Sequence, residues 1–488
     1  MERGFDFVLD GAEIVPIPGR GNGVVATRGL AAGTCLFTEY PLIAMQHGDN
    51  VKAGVSVCER CFRFLGPLES QMNSLLCVRV SPARAPEKLP VVSGMHELPA
   101  PVSCPGRCNL RFCSEECATQ NFAEHHRLLC PGAAGSGSSS VAVPLPVPPP
   151  APPSATDELA AGVGGMRVGR MRVDMQPAGE AQVVLKLTAF AAVVPTLESK
   201  PAVKGSAAAI VPLTPTTANT FEDLPSEPLA RFVAHANATN EIFLLAAKAA
   251  ALVLCRTEAE GASGYDAAMA PFAMEPMWWD AVATPDDVSD EKDFRRTLRE
   301  LLTESWTLLC ALVGPRAPSG CAFMATPAAY ATIVGAFERR NCALQVASPV
   351  EAYFLAIDAM DEGEAKAAVT AVTAPLLDAL DEAYSTPCEG TGLFPLQATL
   401  NHSCEPNVTL LKEEGLEERD GRVVARLTRN VAAGEELCNS YVDTSLPVKR
   451  RRRELREYGF ECDCPKCVRE LKAASEKKAA KDGKRRLK

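Results

Sequence analysis

Between residues 58 and 130 the chain sets its metal-type ligands in pairs: Cys58/Cys61, Cys104/Cys108, Cys113/Cys117, and a histidine ahead of Cys130. Eight such ligands suit two tetrahedral zinc sites, each closed by four thiolate or imidazole donors. Buried unliganded thiols would give the pairing no purpose. Ala118 to Leu129 reads as a helix, on which residues four apart share a face while residues five apart are turned by about 140°. That makes His126 the partner of Cys130 and leaves His125 exposed or behind the ligands. A second group, Cys462, Cys464 and Cys467, is one thiolate short of a closed site. The candidate fourth is Cys404, in the segment Asn401-His402-Ser403-Cys404, with a three-cysteine redox or catalytic site as the alternative. The other eight cysteines (35, 77, 255, 310, 321, 342, 388 and 438) are expected to fill cores.

A length of 488 residues allows two or three domains at about 100 to 200 residues each. The longest apolar run, Ile242 to Cys255, has 14 residues and contains Lys248, short of the ~20 that cross a bilayer. It is read as a buried helix. With no basic-flanked apolar leader, the expectation is a reducing, cytoplasmic or nuclear setting, with no membrane association. The net charge of −10 conceals sixteen Lys/Arg against seven Asp/Glu from Leu446 to Lys488. An acidic chain with a basic end is not an obvious nucleic-acid-binding domain.

Short apolar runs separated by glycine turns (Ile14-Val15, Val24 to Ala26, Cys35 to Phe37) predict strands near the start, and Val408 to Leu411 and Val423 to Leu427 predict them near the end. Apolar residues three and four apart predict helices over 227–257, 290–313 and 363–384. The result is an α+β chain in which strands at both ends enclose a helical middle. Residues 144–153 hold seven prolines, which favour polyproline II and mark a linker or exposed insert.

Taken together, Arg20-Gly21-Asn22-Gly23, Asn401-His402-Ser403-Cys404, Gly434-Glu435-Glu436-Leu437 with Ser440-Tyr441, and the closing Cys-x-Cys-x2-Cys resemble the SET-domain protein-lysine methyltransferases. The early cysteine module resembles a MYND zinc finger, which narrows the likeness to the SET-and-MYND family. Cys388-Glu-Gly-Thr-Gly-Leu-Phe and the His126-Arg-Leu-Leu-Cys130-Pro-Gly ending resemble its divergent fifth member. The order of the motifs carries the resemblance, since a lone Gly-x-Gly turn is common. Two details depart from the family: Cys104 and Cys108 are separated by three residues, and Phe122 stands where many MYND modules have Trp. Only 21 residues follow Cys467, too few for the helical C-terminal domain that most relatives fold over the substrate cleft.

The resemblance implies a SET-domain β fold split by a MYND-type module and a helical insert, closed by a cysteine-rich post-SET segment. Its divisions are 12–50 for the first part of SET, 58–130 for MYND, 132–220 for a Pro/Ala-rich insert, 225–385 for the helical insert, 388–445 for the SET core, 446–467 for post-SET and 468–488 for a basic tail. It also implies S-adenosylmethionine as methyl donor, bound by Arg20, Gly21, Asn22, Gly23, Asn341, Asn401, His402, Tyr441 and Phe460. Tyr441 and Tyr458 are the implied catalytic side chains. Three zinc ions are expected: one on Cys58, Cys61, Cys113 and Cys117, one on Cys104, Cys108, His126 and Cys130, and one on Cys404, Cys462, Cys464 and Cys467. The expected partners of this monomer are a histone, ribosomal or other protein carrying the target lysine, and proline-rich peptides at the MYND module. The rival reading is a catalytically silent MYND adaptor that binds such peptides. The run Lys449 to Arg453 is either a nuclear-import or nucleosome-contacting patch or a solvated helix face, and the tail either lacks structure or forms a frayed helix.

Overall fold

In a computed structural model, residues 9, 11–95, 97–132 and 226–486 are described, apart from 274–275, 286–287, 319–321, 325 and 412–418. The proline-rich run and the rest of the expected 132–220 insert beyond Gly132 lie outside them, as does Cys321.

Among the described residues twelve strands form in chain order: β1 (Ala12–Ile17), β2 (Gly21–Ala26), β3 (Cys35–Glu39), β4 (Ile43–Gln46), β5 (Val102–Ser103), β6 (Arg111–Phe112), β7 (Asn341–Val346), β8 (Cys388–Leu393), β9 (Asn401–His402), β10 (Val408–Leu411), β11 (Val423–Leu427) and β12 (Glu436–Asn439). They assemble as β1-β2-β12-β9, β10-β11-β3, β4-β8-β7 and the small pair β5-β6. Strands from opposite ends of the chain are thus hydrogen-bonded neighbours: β12 pairs antiparallel with β2, and β11 with β3. Val24, Leu36, Phe37, Val408, Ala425, Leu427 and Leu437 share one buried core, as the alternating apolar residues of these strands require.

The helical middle is built on Ser226–Thr239, Ile242–Met269, Glu291–Val313 and Ala328–Arg340. Ile242–Met269 is buried along its first half, where Phe243, Leu245 and the alanines to Ala251 are almost wholly enclosed. Lys248, the one charge in that run, keeps its ammonium satisfied by the Ala44 carbonyl at 3.0 Å and by the Glu59 carboxylate, and so fastens the helix to β4 and to the first cysteine pair. Glu364–Leu380 packs with Pro349–Asp358 and with Leu68–Val78, which lies between the cysteine pairs in sequence but belongs to a separate apolar cluster. Strand β7 is a feature that helical periodicity did not anticipate in this region.

The terminal basic segment is helical from Pro465 to Arg486, which agrees with the helical alternative for the tail and not with one lacking structure. Among the eight cysteines expected in cores, Cys255, Cys342, Cys388 and Cys438 are buried, Cys77 and Cys310 half-buried, and Cys35 exposed. Cys35 stands on the outward side of β3, where alternation turns its neighbour Leu36 inward.

Candidate active site and metal centres

The site is organised by a parallel pairing two residues long, in which Cys438 lies opposite Asn401 and Asn439 opposite His402. Because the two strands run the same way, the segments that follow them, Ser403-Cys404 and Ser440-Tyr441, leave side by side. Buried Asn407 locks them: its side-chain oxygen accepts the Cys438 amide at 2.8 Å, and its amide donates to the Glu436 carbonyl at 2.9 Å. The Tyr441 amide donates to His402 Nδ1 at 3.0 Å, and the Tyr441 hydroxyl to the Leu400 carbonyl at 2.8 Å. With Nδ1 accepting, the proton of a neutral imidazole sits on Nε2, which faces Cys404 Sγ at 3.2 Å. Both ring nitrogens of buried His402 are therefore used within the protein.

The turn between β1 and β2 reaches the same point. Gly19 and Gly21 adopt φ of 73° and 71°, a left-handed backbone that a side chain disfavours. Arg20, between them, donates to the His402 carbonyl at 2.7 Å and pairs with Glu436 at 2.8 Å. The Asn401 side-chain amide donates to the Asn22 carbonyl at 3.1 Å and to Glu436 at 2.9 Å. Gly23 makes this approach possible, since a Cβ there would stand 2.8 Å from Asn401 Nδ2 and 2.6 Å from Ile17. Glu436, which joins Arg20 to Asn401, was legible only as a member of the Gly-Glu-Glu-Leu motif; its partner role depends on the β2–β12 pairing.

Aromatic rings wall the other side. Tyr441 lies 5.1 Å from Tyr458 and 6.4 Å from Phe460, and His402 lies 5.9 Å from Phe460, measured between ring centres. These are ordinary aromatic contacts, tilted for Tyr441–Tyr458 and His402–Phe460 and edge-on for Tyr441–Phe460. Burial, and after it the neighbouring Cys342 thiol, pushes both tyrosine phenols well above their usual range, so each remains a neutral hydroxyl. The Tyr458 hydroxyl oxygen is buried without a hydrogen-bond partner among the described residues. Asn341 opens β7 opposite Leu393, and its side chain makes no hydrogen bond to the other named site residues. Its neighbour Cys342 takes a 2.7 Å hydrogen bond from the Gln397 amide. A residue unmarked by sequence also holds the site's approach: the buried carboxylate of Glu39 accepts the amides of Leu396 and Gln397 at 2.8 and 2.9 Å, fixing the turn that leads into Asn401.

The three ligand groups each assemble in space. Cys58, Cys61, Cys113 and Cys117 form one, Cys104, Cys108, His126 and Cys130 the second, and Cys404, Cys462, Cys464 and Cys467 the third, with the donor atoms of each within 4.8 Å of one another. Each is a soft donor set that fits a tetrahedral cation. Hydrogen bonding with a neighbouring sulfur pushes the thiols of Cys61, Cys108 and Cys404 far up and those of Cys117, Cys104 and Cys462 far down, the mutual opposition of crowded thiolates that a shared cation would relieve. His126 presents Nε2 to Cys108 Sγ at 3.3 Å. The helix expected over 118–129 is instead α-helical at Glu115–Asn121 and Arg127–Leu129 with a π-helical turn, Phe122–His126, between them. The turn buries His125 as well as His126. His125 is thus not exposed, and burial, with Lys248, lowers its pKa so that it stays neutral.

A SET-domain family model matches residues 284–442. The chain is 30% identical over 509 residues to histone-lysine N-methyltransferase ATXR2 of Arabidopsis thaliana, covering 92% of this chain and 88% of that protein. It is 23% identical over 466 residues to protein-lysine N-trimethyltransferase SMYD5 of Gallus gallus, covering 92% and 84%. To histone-lysine N-methyltransferase SMYD3 of Mus musculus it is 38% identical over 86 residues, covering 17% of this chain and 19% of that protein. No helix among the described residues is long and apolar enough to cross a membrane. With strands from both ends closing on one site and three cysteine-rich ligand groups, this α+β chain belongs to the SMYD-type SET-domain protein-lysine methyltransferases.

Proposed function

We propose that the protein transfers methyl groups from S-adenosylmethionine to lysine side chains of a histone, ribosomal or other protein, using the surface shared by the β1–β2 turn, Asn401-His402, Tyr441, Tyr458 and Phe460. The observation that carries this reading is the parallel β9–β12 pairing, which sets Tyr441 against His402 within 5.3 Å between ring centres, beside a glycine-cleared turn. The cofactor would supply an activated methyl on a sulfonium. Gly21, Asn22 and Gly23 would offer it backbone, Asn401 and Phe460 would border it, and Asn341 is assigned to the same side. Arg20 and His402 contribute differently from the sequence expectation: their polar side-chain groups hold the turn and Tyr441, so His402 would meet the cofactor through its backbone.

Methyl transfer in line needs a neutral, desolvated and oriented amine. The Tyr441 hydroxyl gives its proton to the Leu400 carbonyl, which leaves its oxygen lone pairs to accept from the incoming amine. Tyr458, whose buried hydroxyl lacks a partner among the described residues, is a second acceptor. Neither phenol has to ionise. The three ligand groups are assigned to structural zinc, with 12–50 and 388–445 as the SET core, 58–130 as a MYND-type module, 225–385 as the helical insert and 446–467 as the post-SET segment. The MYND-type module is the assigned site for proline-rich peptides. The working location is the cytoplasm, the nucleus or both, where reducing conditions keep the eleven ligating cysteines available. Isothermal titration with S-adenosylmethionine tests the reading: saturable binding together with label transfer to a lysate protein is expected. No binding by zinc-loaded protein would leave the silent adaptor.

A further inference from the structure

The basic run Lys449 to Arg453 heads the helix Val448–Leu455, and its members have different surroundings. Arg450 pairs with Glu454, and Arg452 with Glu461. Arg451 is 1% exposed, among the largest fully buried side chains of the protein. A guanidinium is permanently charged, and enclosing one is costly unless opposite charge surrounds it. Its Nε points to Cys404 Sγ at 3.2 Å, its Nη2 to Cys467 Sγ at 3.5 Å and to the Glu470 carboxylate at 2.9 Å, and its Nη1 to the Leu446 carbonyl. The two sulfurs belong to chain segments 63 residues apart.

We propose that Arg451 is a positioning residue of the third metal centre, where it neutralises the thiolates of Cys404 and Cys467 and ties the Asn401–Cys404 segment to the terminal helix. The inference rests on the assignment of zinc to this centre. Four thiolates around a divalent cation keep two net negative charges, and this centre, unlike the second, includes no neutral imidazole among its four ligands. Arg451 supplies one positive charge in a planar fork that reaches two sulfurs, a geometry lysine cannot copy. His402 Nε2–H adds a further hydrogen bond to the sulfur of Cys404. Cys404 is therefore the point where the metal centre, Arg451 and the segment holding Tyr441 meet.

The test uses full-length wild type, R451M, R451K, E470Q and C464S, each analysed for zinc content and then challenged with excess chelator while released zinc is followed. Wild type is expected to hold three ions, and C464S identifies the kinetic phase of the third. Removal of a side chain that supports a metal ligand commonly weakens binding by about tenfold to a hundredfold. R451M is expected to lose the third ion or release it faster by that factor, with the other two phases unchanged. R451K should fall between R451M and wild type, and E470Q should accelerate the same phase less. If R451M is insoluble, R451K decides: wild-type release from R451K would overturn the bridging role, as would wild-type release from soluble R451M. Two ions in wild type, with no phase sensitive to C464S, would overturn both the zinc assignment and the inference, which separates that failure from the first.

Discussion

At the scale of single residues, the hydroxyl of Tyr441 and the carboxylate of Glu39 make different demands. Tyr441→Phe removes the bond to the Leu400 carbonyl and the acceptor proposed for the amine, while leaving the ring that packs on His402. Turnover is expected to fall by about two orders of magnitude, the usual cost of one oriented polar group at a reacting centre, with S-adenosylmethionine affinity changing much less. Single-turnover rates and calorimetric affinity measured together check this, and near-normal turnover would remove the assigned role. Glu39 is raised to about 7 by burial, against the opposing pull of the Leu396 and Gln397 amides. Its folded form holds the proton more tightly than the unfolded chain, so its contribution to stability is present below the unfolded value of 4.5 and is lost as pH rises through about 7. The stability of Glu39→Gln relative to wild type should therefore rise with pH across that window, by roughly 1 to 3 kcal/mol. Parallel denaturant titrations at pH 5 and pH 8 would show it, and a pH-independent difference would exclude the linkage. Tyr441 was legible because it stood in an ordered set of motifs. Glu39 carried no signal, because its partners are backbone amides some 357 residues away.

Elements divide the cysteine groups into two kinds. The first two are local, built from turns, the short pair β5-β6 and the interrupted helix after Ser114, whose side chain caps the Cys117 amide at 3.1 Å. The third joins the β9–β10 connection to the segment between Tyr458 and the terminal helix and to the first turn of that helix. Structural zinc contributes apparent binding free energy on the order of 10 kcal/mol to folding, so loss of either kind should disorder what it closes. Cys464→Ser is expected to abolish methyl transfer and weaken S-adenosylmethionine binding. Cys61→Ser should leave cofactor binding close to wild type and damage the 58–130 segment and its partner binding. Calorimetry and limited proteolysis of the two variants make the comparison, and an active Cys464→Ser enzyme would contradict it. The spacing of the pairs made the ligands readable, but the π-helical turn at Phe122–His126 was not, since a shift of one hydrogen-bond register leaves the residue pattern unchanged. His125 is buried within that turn, while His126 still reaches Cys108.

Across the whole molecule, zinc analysis of fully loaded protein should give three ions per chain, and two or fewer would overturn the assignment of twelve ligands to three centres. The sequence by itself determined the ligand types, the strands at the two ends, the helices between them and the motif order that resembles the SET-and-MYND family, because these are written in spacing and periodicity over a few residues. Tertiary structure alone decided that β12 lies between β2 and β9, that Glu436 joins Arg20 to Asn401, and that His402 spends both ring nitrogens on Tyr441 and Cys404. It also buried one arginine of a basic run whose neighbours stay wholly or partly exposed. A run of like charges has no local reason to send one member inward; the reason is a group of thiolates gathered from segments far apart in the chain, a charge that exists only once the chain has closed around it.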